Sequence, residues 1–265
     1  MRLAYTGCVT ALLADSHAHL DQFPDADIEA MVARARDAGV GMIVCVGTTL
    51  ASSRNVIELA RRHDIVYAGV GLHPQDLKAP VTEGDLETLR GLALGDSKVV
   101  CISETGLDYQ ETSPDRGWQQ EWFRRHIRLA RELGKPVDFH SRDADADTLR
   151  ILREERASEA DAIWHYFQGT QADADAGLSL GCYISLAKPL LRIPALEAVV
   201  RALPLERIVL ETDTYPQPFK KNPSRRTEPS HVRLVAEKVA ELRGMTVEEV
   251  AEVTTANLRR ALRMG

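Results

Sequence analysis

Histidines follow short apolar segments in this chain, and the first two have the spacing of metal ligands. The chain has 265 residues and contains eight histidines. The apolar segment Ala11–Ala14 leads into His17 and His19, which are separated by one residue. In an extended segment, residues two apart point to the same side. We therefore expect both imidazoles to project together and to form half of a divalent-metal site.

Four further side chains of ligand type stand at or near the ends of later apolar segments. They are Glu104, His140, His165 and Asp213. Together with the first pair they supply four imidazoles and two carboxylates, a donor set suited to zinc or manganese. Six ligands are too many for one tetrahedral zinc with an open position, whereas two metals bridged by a carboxylate use all of them.

Each of these signals has a simpler explanation when it is taken alone. A single His-x-His occurs by chance. A histidine at a strand end, such as His165, is often a structural residue with satisfied hydrogen bonds, and a glutamate there often pairs with Arg or Lys. The joint placement of all six on strands one, four, five, six and eight favours the metal site over these alternatives.

Eight apolar segments, many of them rich in β-branched residues, alternate with segments of helical periodicity. The eight are Leu12–Ser16, Met42–Thr48, Val66–Leu72, Val99–Ser103, Val137–His140, Ala162–Tyr166, Cys182–Leu186 and Ile208–Glu211. Several are continuously apolar, which is typical of parallel strands covered on both faces. The pattern predicts an α/β fold, a (β/α)8 TIM barrel with a parallel eight-stranded core, whose functional groups lie at the carboxyl ends of the strands.

Helix signals separate the strands. Apolar residues recur with helical spacing after Pro24 and stop at Gly39, and a stripe from Trp118 to Ala130 predicts a helix packed on the barrel. Thr246 begins a capping-box pattern that predicts a terminal helix. Because no linker or repeat interrupts the alternation, we expect one domain over residues 1–265, with residues 1–10 as an N-terminal extension.

Composition restricts the class of protein. The chain is 44% hydrophobic and 27% charged, as in soluble globular proteins. It has no apolar segment near the roughly 20 residues that span a bilayer, so no membrane association is expected. Its four cysteines form no Cys-x-x-Cys pair and are expected to be buried free thiols, which fits a cytoplasmic location. The net charge of −6 argues against extended nucleic-acid binding but leaves a local anionic-substrate pocket open. No obligate protein partner is indicated.

Six short motifs occur in a fixed order along the chain. They are DSHAHLD at Asp15–Asp21, GLHP at Gly71–Pro74, SETGLDY at Ser103–Tyr109, HSRDA at His140–Ala144, HYFQG at His165–Gly169 and ETD at Glu211–Asp213. In these motifs the chain resembles the TatD-like metal-dependent hydrolases, which are (β/α)8 barrels related to the amidohydrolases. The resemblance implies divalent-metal-dependent phosphodiester hydrolysis, and deoxyribonuclease activity is reported for several members. It also implies the same six ligands, with Glu104 as the bridge.

The chain departs from the family pattern near the expected mouth of the barrel. Thr105 stands where an apolar residue is usual, Tyr166 and Gln168 replace Cys and Ser, and Thr227 replaces the Asn of an Arg-Asn-Glu-Pro motif. None of these changes removes a ligand. They bear on substrate preference.

Glu104 and Asp213 are the predicted catalytic residues. Two metals about 3.5–4 Å apart activate a water and stabilise both the attacking and the leaving oxygen of a phosphodiester. The expected cofactors are two divalent ions, namely zinc, magnesium or manganese. Asp213 is expected to bind one ion and also to orient or deprotonate the attacking water.

Four side chains are predicted to contact a substrate, which would be DNA or another phosphodiester. They are His73, Arg142, Tyr109 and Arg226. Each has an alternative: a structural role for His73, a rim salt bridge from Arg142 to Asp143 or Glu104, rim packing for Tyr109, and ordering of the last loop for Arg226. The basic residues Lys220, Lys221, Arg225 and Arg226 either guide a polyanion or form a solvated loop.

Three functions remain open from the sequence. The first is a metal-dependent phosphodiesterase acting on DNA, and the second is an amidohydrolase-type enzyme that cleaves a small amide, lactone or ester. The second type often uses a carbamylated lysine at strand four or five, but Lys135 precedes strand five and Glu104 ends strand four. The third is a metal-stabilised binding protein without turnover. The remaining histidines, His63, His126 and His231, are expected on the surface or at helix caps.

Overall fold

Eight parallel strands form a barrel in which each strand pairs with the next one along the chain. The structure, a computed structural model, describes residues 12–220 and 226–264. The strands are β1 (Leu13–Ala18), β2 (Val40–Val46), β3 (Val66–Val70), β4 (Val99–Asp108), β5 (Val137–Arg142), β6 (Ala162–Trp164), β7 (Cys182–Leu186) and β8 (Ile208–Leu210). The predicted (β/α)8 TIM barrel is confirmed, and all eight predicted strands are present.

The barrel closes between the segments that follow β8 and β1. Thr214 forms a parallel bridge with Ala18. The amide of Asp213 donates to the carbonyl of His17 at 3.0 Å, and the amide of His19 donates to the carbonyl of Thr214 at 2.7 Å. This closure brings Asp213 beside the histidine pair, although the two lie almost 200 residues apart in the chain.

Helices surround the barrel and follow most of the strands. They are α1 (Asp25–Asp37), α2 (Leu50–Arg62), α3 (Glu83–Gly95), α4 (Arg116–Leu133), α5 (Asp145–Glu154), α6 (Gln171–Ser179), α7 (Pro194–Ala202), α8 (Val232–Arg243) and α9 (Val247–Ala261). The predicted capping box is confirmed at α9, where Thr246 and Glu249 cap each other. The predicted stripe is confirmed in α4 for Trp122, Phe123 and Ile127, which are buried against the barrel, but Trp118 at its start is exposed. Within the part of the chain that the structure describes, no helix has both the length and the apolar character needed to cross a membrane.

Two apolar layers fill the molecule. The larger layer lies between strands and helices. The smaller fills the barrel interior, where Met42, Val44 and Val46 alternate along β2, and Leu258 of α9 packs against it. Since this layer fills one end of the barrel, the polar groups gather at the other.

Strand β4 is longer than predicted, because it continues past Ser103 to Asp108. The additional residues pair with β5, with Thr105 opposite Phe139 and Gly106 opposite His140. Glu104 therefore lies within the strand rather than at its end. This part of the strand was missed because it contains polar residues, which do not look like a buried strand in the sequence. The tertiary fold nevertheless buries all of it. The predicted extension at residues 1–10 lies outside the described residues.

Candidate metal centre

The six predicted ligands converge at the carboxyl ends of the strands, around the buried carboxylate of Glu104. Its Oε2 lies 3.5 Å from His17 Nε2 and 3.4 Å from His19 Nε2. The two imidazole nitrogens are 3.3 Å apart, so the spacing of the pair does place both rings on one side. Asp213 Oδ1 lies 3.5 Å from His19 Nε2 and completes this side of the group.

The other oxygen of Glu104 faces a different set of imidazoles. Its Oε1 lies 3.3 Å from His140 Nδ1, 3.5 Å from His165 Nε2 and 3.4 Å from His73 Nε2. The two carboxylate oxygens thus each have their own group of nitrogen donors. This division is what a carboxylate bridging two cations requires.

The four predicted ligand imidazoles each have the second ring nitrogen beside an oxygen acceptor. The pairs are His17 Nδ1 with Asp138 Oδ2 at 2.7 Å, His19 Nδ1 with the Val46 carbonyl at 3.2 Å, His140 Nε2 with Asp108 Oδ2 at 3.2 Å, and His165 Nδ1 with Glu211 Oε1 at 3.0 Å. A neutral imidazole that carries its proton on the outer nitrogen presents a lone pair from the inner one. All four inner nitrogens face Glu104, so the donor set fits divalent metal ions.

His73 is arranged differently from those four. Its Nδ1 accepts a hydrogen bond from the amide of Gln75 at 3.1 Å, so the neutral ring carries its proton on Nε2. Burial lowers the pKa of His73 and favours this neutral form. Its Nε2 is therefore a hydrogen-bond donor towards Glu104 and the cavity, which separates it from the metal-binding nitrogens.

Charge at the centre is balanced between buried imidazoles and carboxylates. Burial acts to raise the pKa of Glu104, but His73 and His17 outweigh it and hold that pKa well below its usual value. Burial acts to lower the pKa of His17, yet Asp138 and Glu104 raise it well above its usual value. The carboxylates therefore favour protonation of His17, and they also raise the pKa of His19 and His140 against the effect of burial. Divalent cations can supply the same positive charge and release those protons.

A cavity of about 450 Å³ opens over the centre. Its lining includes Glu104, His140, His165 and Asp213, together with Tyr166 and Tyr215. Of the four predicted substrate residues, His73 and Arg142 line it. Arg142 Nε lies 3.1 Å from Asp108 Oδ2, so the predicted alternative of a salt bridge to Asp143 or Glu104 names the wrong partner. The guanidinium remains 43% exposed and accessible from the cavity.

Tyr109 and Arg226 are not part of the cavity lining. The Tyr109 hydroxyl donates to Asp147 Oδ2 at 2.8 Å, and Arg116 stacks on the ring with 4.3 Å to its centroid. Arg226 Nε donates to the carbonyl of Lys220 at 3.4 Å. A substrate contact by either residue stays a prediction. The other predicted basic residues, Lys221 and Arg225, lie outside the described residues.

Comparison with known proteins identifies the family. Residues 14–263 match the family described as "TatD related DNase". The chain belongs to the TatD family. This TatD-family chain is 38% identical, over 261 residues, to the "Uncharacterized metal-dependent hydrolase YabD" of Bacillus subtilis (strain 168), and the match covers 96% of this chain and 100% of that protein. It is a metal-dependent hydrolase of this family.

Two further TatD-family proteins are similar over most of their length. One is the "3'-5' ssDNA/RNA exonuclease TatD" of Edwardsiella piscicida, which is 34% identical over 249 residues, with coverage of 90% of this chain and 94% of that protein. The other is the solved structure of YJJV, a TatD homolog from Escherichia coli K12. It matches with a TM-score of 0.86 at 28% identity and covers 96% of this chain and 98% of the other.

Three carboxylates with no role predicted from the sequence lie beside predicted ligand imidazoles in this TatD-family site. They are Asp138, Asp108 and Glu211. Asp138 precedes His140 by two residues in β5, and strand alternation places both on one face. That spacing is the signal that identifies Asp138. The partners of Asp108 and Glu211 follow only from how the strands pair.

Asp15 links the first strand of the barrel to the segment that follows the last strand. It accepts hydrogen bonds from the Thr212 amide at 2.9 Å and from the Thr212 hydroxyl at 2.6 Å. Burial raises the pKa of Asp15 to about 7. The carboxyl group thus ties β1 to the segment after β8 and supports the position of His17.

The expectation for His126 is wrong, because this residue is fully buried rather than on the surface or at a cap. Its Nε2 accepts a hydrogen bond from the amide of Leu72 at 3.2 Å, and its Nδ1 lies 2.8 Å from Thr105 Oγ1. The helical pattern alone did not reveal that this side of α4 meets polar groups at the ends of β3 and in β4. His63 does follow the end of α2, and His231 precedes α8, as expected.

Proposed function

We propose that this TatD-family hydrolase cleaves the phosphodiester bonds of DNA at a centre of two divalent ions, zinc, magnesium or manganese. The observation that carries the proposal is the division of the Glu104 carboxylate, whose Oε2 faces His17 and His19 while Oε1 faces His140 and His165. In this arrangement His17, His19 and Asp213 would hold one ion, and His140 and His165 would hold the other. Glu104 would contribute one oxygen to each.

The bound ions would lower the pKa of a water ligand and stabilise charge on phosphate oxygens. Asp213 is the proposed proton acceptor from the attacking water. Burial acts to raise its pKa, but the hydrogen bond from His19 and the nearby His165 lower it, so the carboxylate is ionised at neutral pH. Its side chain is 17% exposed and lines the cavity, where water has access to it.

His73 and Arg142 are the proposed substrate contacts. The Nε2–H of His73 is a neutral donor that suits a phosphate or leaving-group oxygen. Arg142 presents a planar guanidinium that suits two phosphate oxygens at once. Asp108 orients the Arg142 guanidinium and also the ring of His140.

Two observations favour phosphodiester over amide chemistry. A relative that is 34% identical carries the name of a single-stranded DNA and RNA exonuclease. The lysine of the amidohydrolase alternative, Lys135, donates to the carbonyl of Val99 at the amino end of β4. Its amine therefore lies at the end of the barrel opposite to Glu104, where it cannot bridge metals.

The test is hydrolysis by metal-stripped protein supplied with Mg²⁺, Mn²⁺ or Zn²⁺. End-labelled single- and double-stranded DNA are the substrates, and a panel of amides, lactones and carboxylic esters is run in parallel. We expect metal-dependent DNA cleavage. Cleavage of the amides or lactones alone would assign the second function, and metal binding without any turnover would assign the third.

Two variants test the proposed roles in the same assay. Glu104→Gln should lose metal binding together with cleavage, because the bridging charge is gone. Asp213→Asn should lower turnover by about 10²–10⁴-fold at saturating metal, the contribution of a general base. Full turnover by Asp213→Asn with metal bound would remove the base role.

We also propose a cytoplasmic location. Cys45, Cys101 and Cys182 are free and buried, as predicted, while Cys8 lies outside the described residues. Unpaired thiols are typical of a reducing compartment. Fractionation of cells that express the protein tests this location, since the protein should be found in the cytoplasmic fraction and not in the envelope fraction.

A further inference from the structure

Three cations stand together on the β7 and β8 side of the barrel mouth. They are Lys188, Arg192 and Lys220, here called the rim cations. Lys188 begins the short 3-10 turn Lys188–Leu191, which comes two residues after β7, and Arg192 follows that turn. Lys220 lies in the segment after β8. All three therefore follow carboxyl ends of strands, at the same end of the barrel as the metal centre.

The rim cations differ from most arginines on the outer helices, which are ion-paired. Examples are Arg34 with Glu228 at 2.6 Å, and Arg128 with Glu155 at 2.7 Å. Over residues 12–220 and 226–264, no carboxylate oxygen lies within 4.0 Å of a side-chain nitrogen of a rim cation. The chain carries a net charge of −6, yet none of the carboxylates that the structure describes neutralises these three cations.

Lys188 is held in place by a neutral group. Its Nζ donates to Thr227 Oγ1 at 3.0 Å, and the buried Thr227 is itself fixed by its amide, which donates to Gln217 Oε1 at 3.0 Å. Burial lowers the pKa of Lys188, and the charges of Lys220 and Arg192 lower it further. The three positive charges therefore repel one another, and a bound anion would relieve that repulsion.

The rim cations adjoin the catalytic cavity through Tyr166. Arg192 Nη2 donates to the Tyr166 hydroxyl at 3.5 Å, and Tyr166 lines the cavity together with Tyr215. Tyr166 has a φ of 51°, a conformation uncommon outside glycine, and its amide donates to Glu211 Oε1 at 2.9 Å. The backbone thus holds an aromatic ring between the metal centre and the rim cations.

We infer that the rim cations form a second phosphate-binding subsite, which takes a backbone phosphate of a nucleotide strand whose scissile bond lies at the metal centre. Tyr166 and Tyr215 offer faces on which an intervening base stacks, a combination that single-strand-binding grooves use. The inference rests on the proposed phosphodiesterase function, because it assumes that a nucleotide strand enters this cavity. It adds a site for a phosphate that is not cleaved.

Binding without turnover tests the subsite. The probe is a fluorescently labelled oligothymidylate, titrated in EDTA over 50 to 200 mM salt. The variant Lys188→Met with Arg192→Gln removes two charges. The matched control, Arg153→Gln with Arg260→Gln, removes two exposed charges near the ends of α5 and α9, at the closed end of the barrel.

We expect the rim variant to bind the probe several-fold more weakly and its slope of log Kd against log salt to fall by about one unit or more. The control should keep the wild-type affinity and slope. The longer probe should bind more tightly than a thymidine dinucleotide, and this gain in affinity should be smaller in the rim variant than in the wild type. Equal slopes and affinities in the rim variant and the control would overturn the subsite.

The proposed function and the proposed subsite can be disproved independently of each other. Wild-type hydrolysis of bis-p-nitrophenyl phosphate, a substrate with one phosphodiester, tests the function without the subsite. No turnover there overturns the proposed function, whereas turnover with unchanged salt slopes overturns only the subsite. If the double variant does not fold, Arg192→Gln alone serves, since the one hydrogen bond that its guanidinium makes among described residues is to the Tyr166 hydroxyl. With one charge removed, a fall in salt slope of about one unit is the expected result.

Discussion

An imidazole can offer a lone pair to a metal when its other nitrogen faces an oxygen acceptor, and all four predicted ligand imidazoles are arranged in this way. Three of the rings, those of His17, His140 and His165, face a carboxylate, and the ring of His19 faces a backbone carbonyl. At His73 the backbone amide of Gln75 reverses the arrangement and leaves a donor facing the cavity. The same residue type thus turns either a lone pair or a proton towards Glu104, according to the group beside its other nitrogen.

Asp138→Asn tests this at the residue scale. Asp138 Oδ2 accepts from His17 Nδ1 and from the Ser103 hydroxyl, both at 2.7 Å. An amide is neutral and can present a donor to Nδ1, which would move the imidazole proton to the nitrogen that faces Glu104. We expect metal affinity, measured by competition with a chelator, to fall by about 10–100-fold.

Asp161→Asn is the matched control for this change. Asp161 pairs with Arg263 away from the centre, and asparagine tolerates its φ of 67°. The control should keep wild-type metal affinity. If Asp138→Asn binds metal as tightly as Asp161→Asn, Asp138 does not orient His17.

At the scale of elements, α4 holds two of the segments that carry the site. His126 of α4 accepts from the amide of Leu72, which precedes His73, and contacts Thr105, which follows Glu104. Gln119 of α4 also bonds the backbone of Asp108 in β4, where its Oε1 accepts from the amide and its Nε2 donates to the carbonyl, both at 2.8 Å. Such directional polar contacts fix the helix relative to these segments.

The contact of His126 predicts a pH dependence of stability. Burial lowers the pKa of His126 to about 3, against 6.5 in the unfolded chain, so only the unfolded chain gains a proton between these values. The stabilisation is complete above pH 6.5 and is lost as pH falls towards 3. From pH 7 to pH 5 the loss is about 2 kcal/mol. Urea unfolding in EDTA at both pH values measures it.

His126→Gln should remove this part of the pH dependence, because glutamine does not titrate. Thr105→Val is the control, since it changes the contact but keeps the imidazole, and should retain the dependence. The same loss of stability at pH 5 in wild type and His126→Gln would show that His126 does not carry it.

At the scale of the whole molecule, the metal centre gathers side chains from β1, β4, β5 and the segments after β6 and β8. Carboxylates and imidazoles from around the barrel are thereby concentrated at one point. Bound cations should therefore tie the barrel together as well as support catalysis.

Metal removal tests this directly. At a free metal concentration about 1,000 times the Kd of one ion, that ion alone adds about 4 kcal/mol, which for a chain of this size is a rise of about 8–16 °C in Tm. We expect EDTA to lower Tm by that amount in the wild type and by much less in Glu104→Gln.

Asn257→Ala provides the comparison for a purely structural loss. Asn257 Nδ2 donates to the carbonyls of Leu205 and Ile208 at 2.8 and 2.9 Å, far from the centre. Its loss should cost about 1–3 kcal/mol, because buried carbonyls lose their donor, yet the shift caused by EDTA should remain. A wild-type Tm that does not respond to EDTA would contradict the structural role of the metals.

The sequence by itself determined the barrel and the end of it at which the six predicted ligands meet. Both depend on local periodicity, since apolar strands recur at regular intervals and a parallel barrel places polar residues that follow them at one end. The pair His17 and His19 needed only the alternation of a strand. Strand limits were less well predicted, and the polar half of β4 was missed because its burial comes from pairing with β5.

Only the tertiary structure decided which atoms face each other. The separation of Glu104 Oε1 from Oε2, the acceptors behind each imidazole and the buried position of His126 all join segments distant in the chain. No local pattern encodes such contacts, because they arise when strands close into a barrel and a helix packs over them. The grouping of Lys188, Arg192 and Lys220 beside Tyr166 has the same origin, since β7 and β8 become neighbours only in the folded barrel.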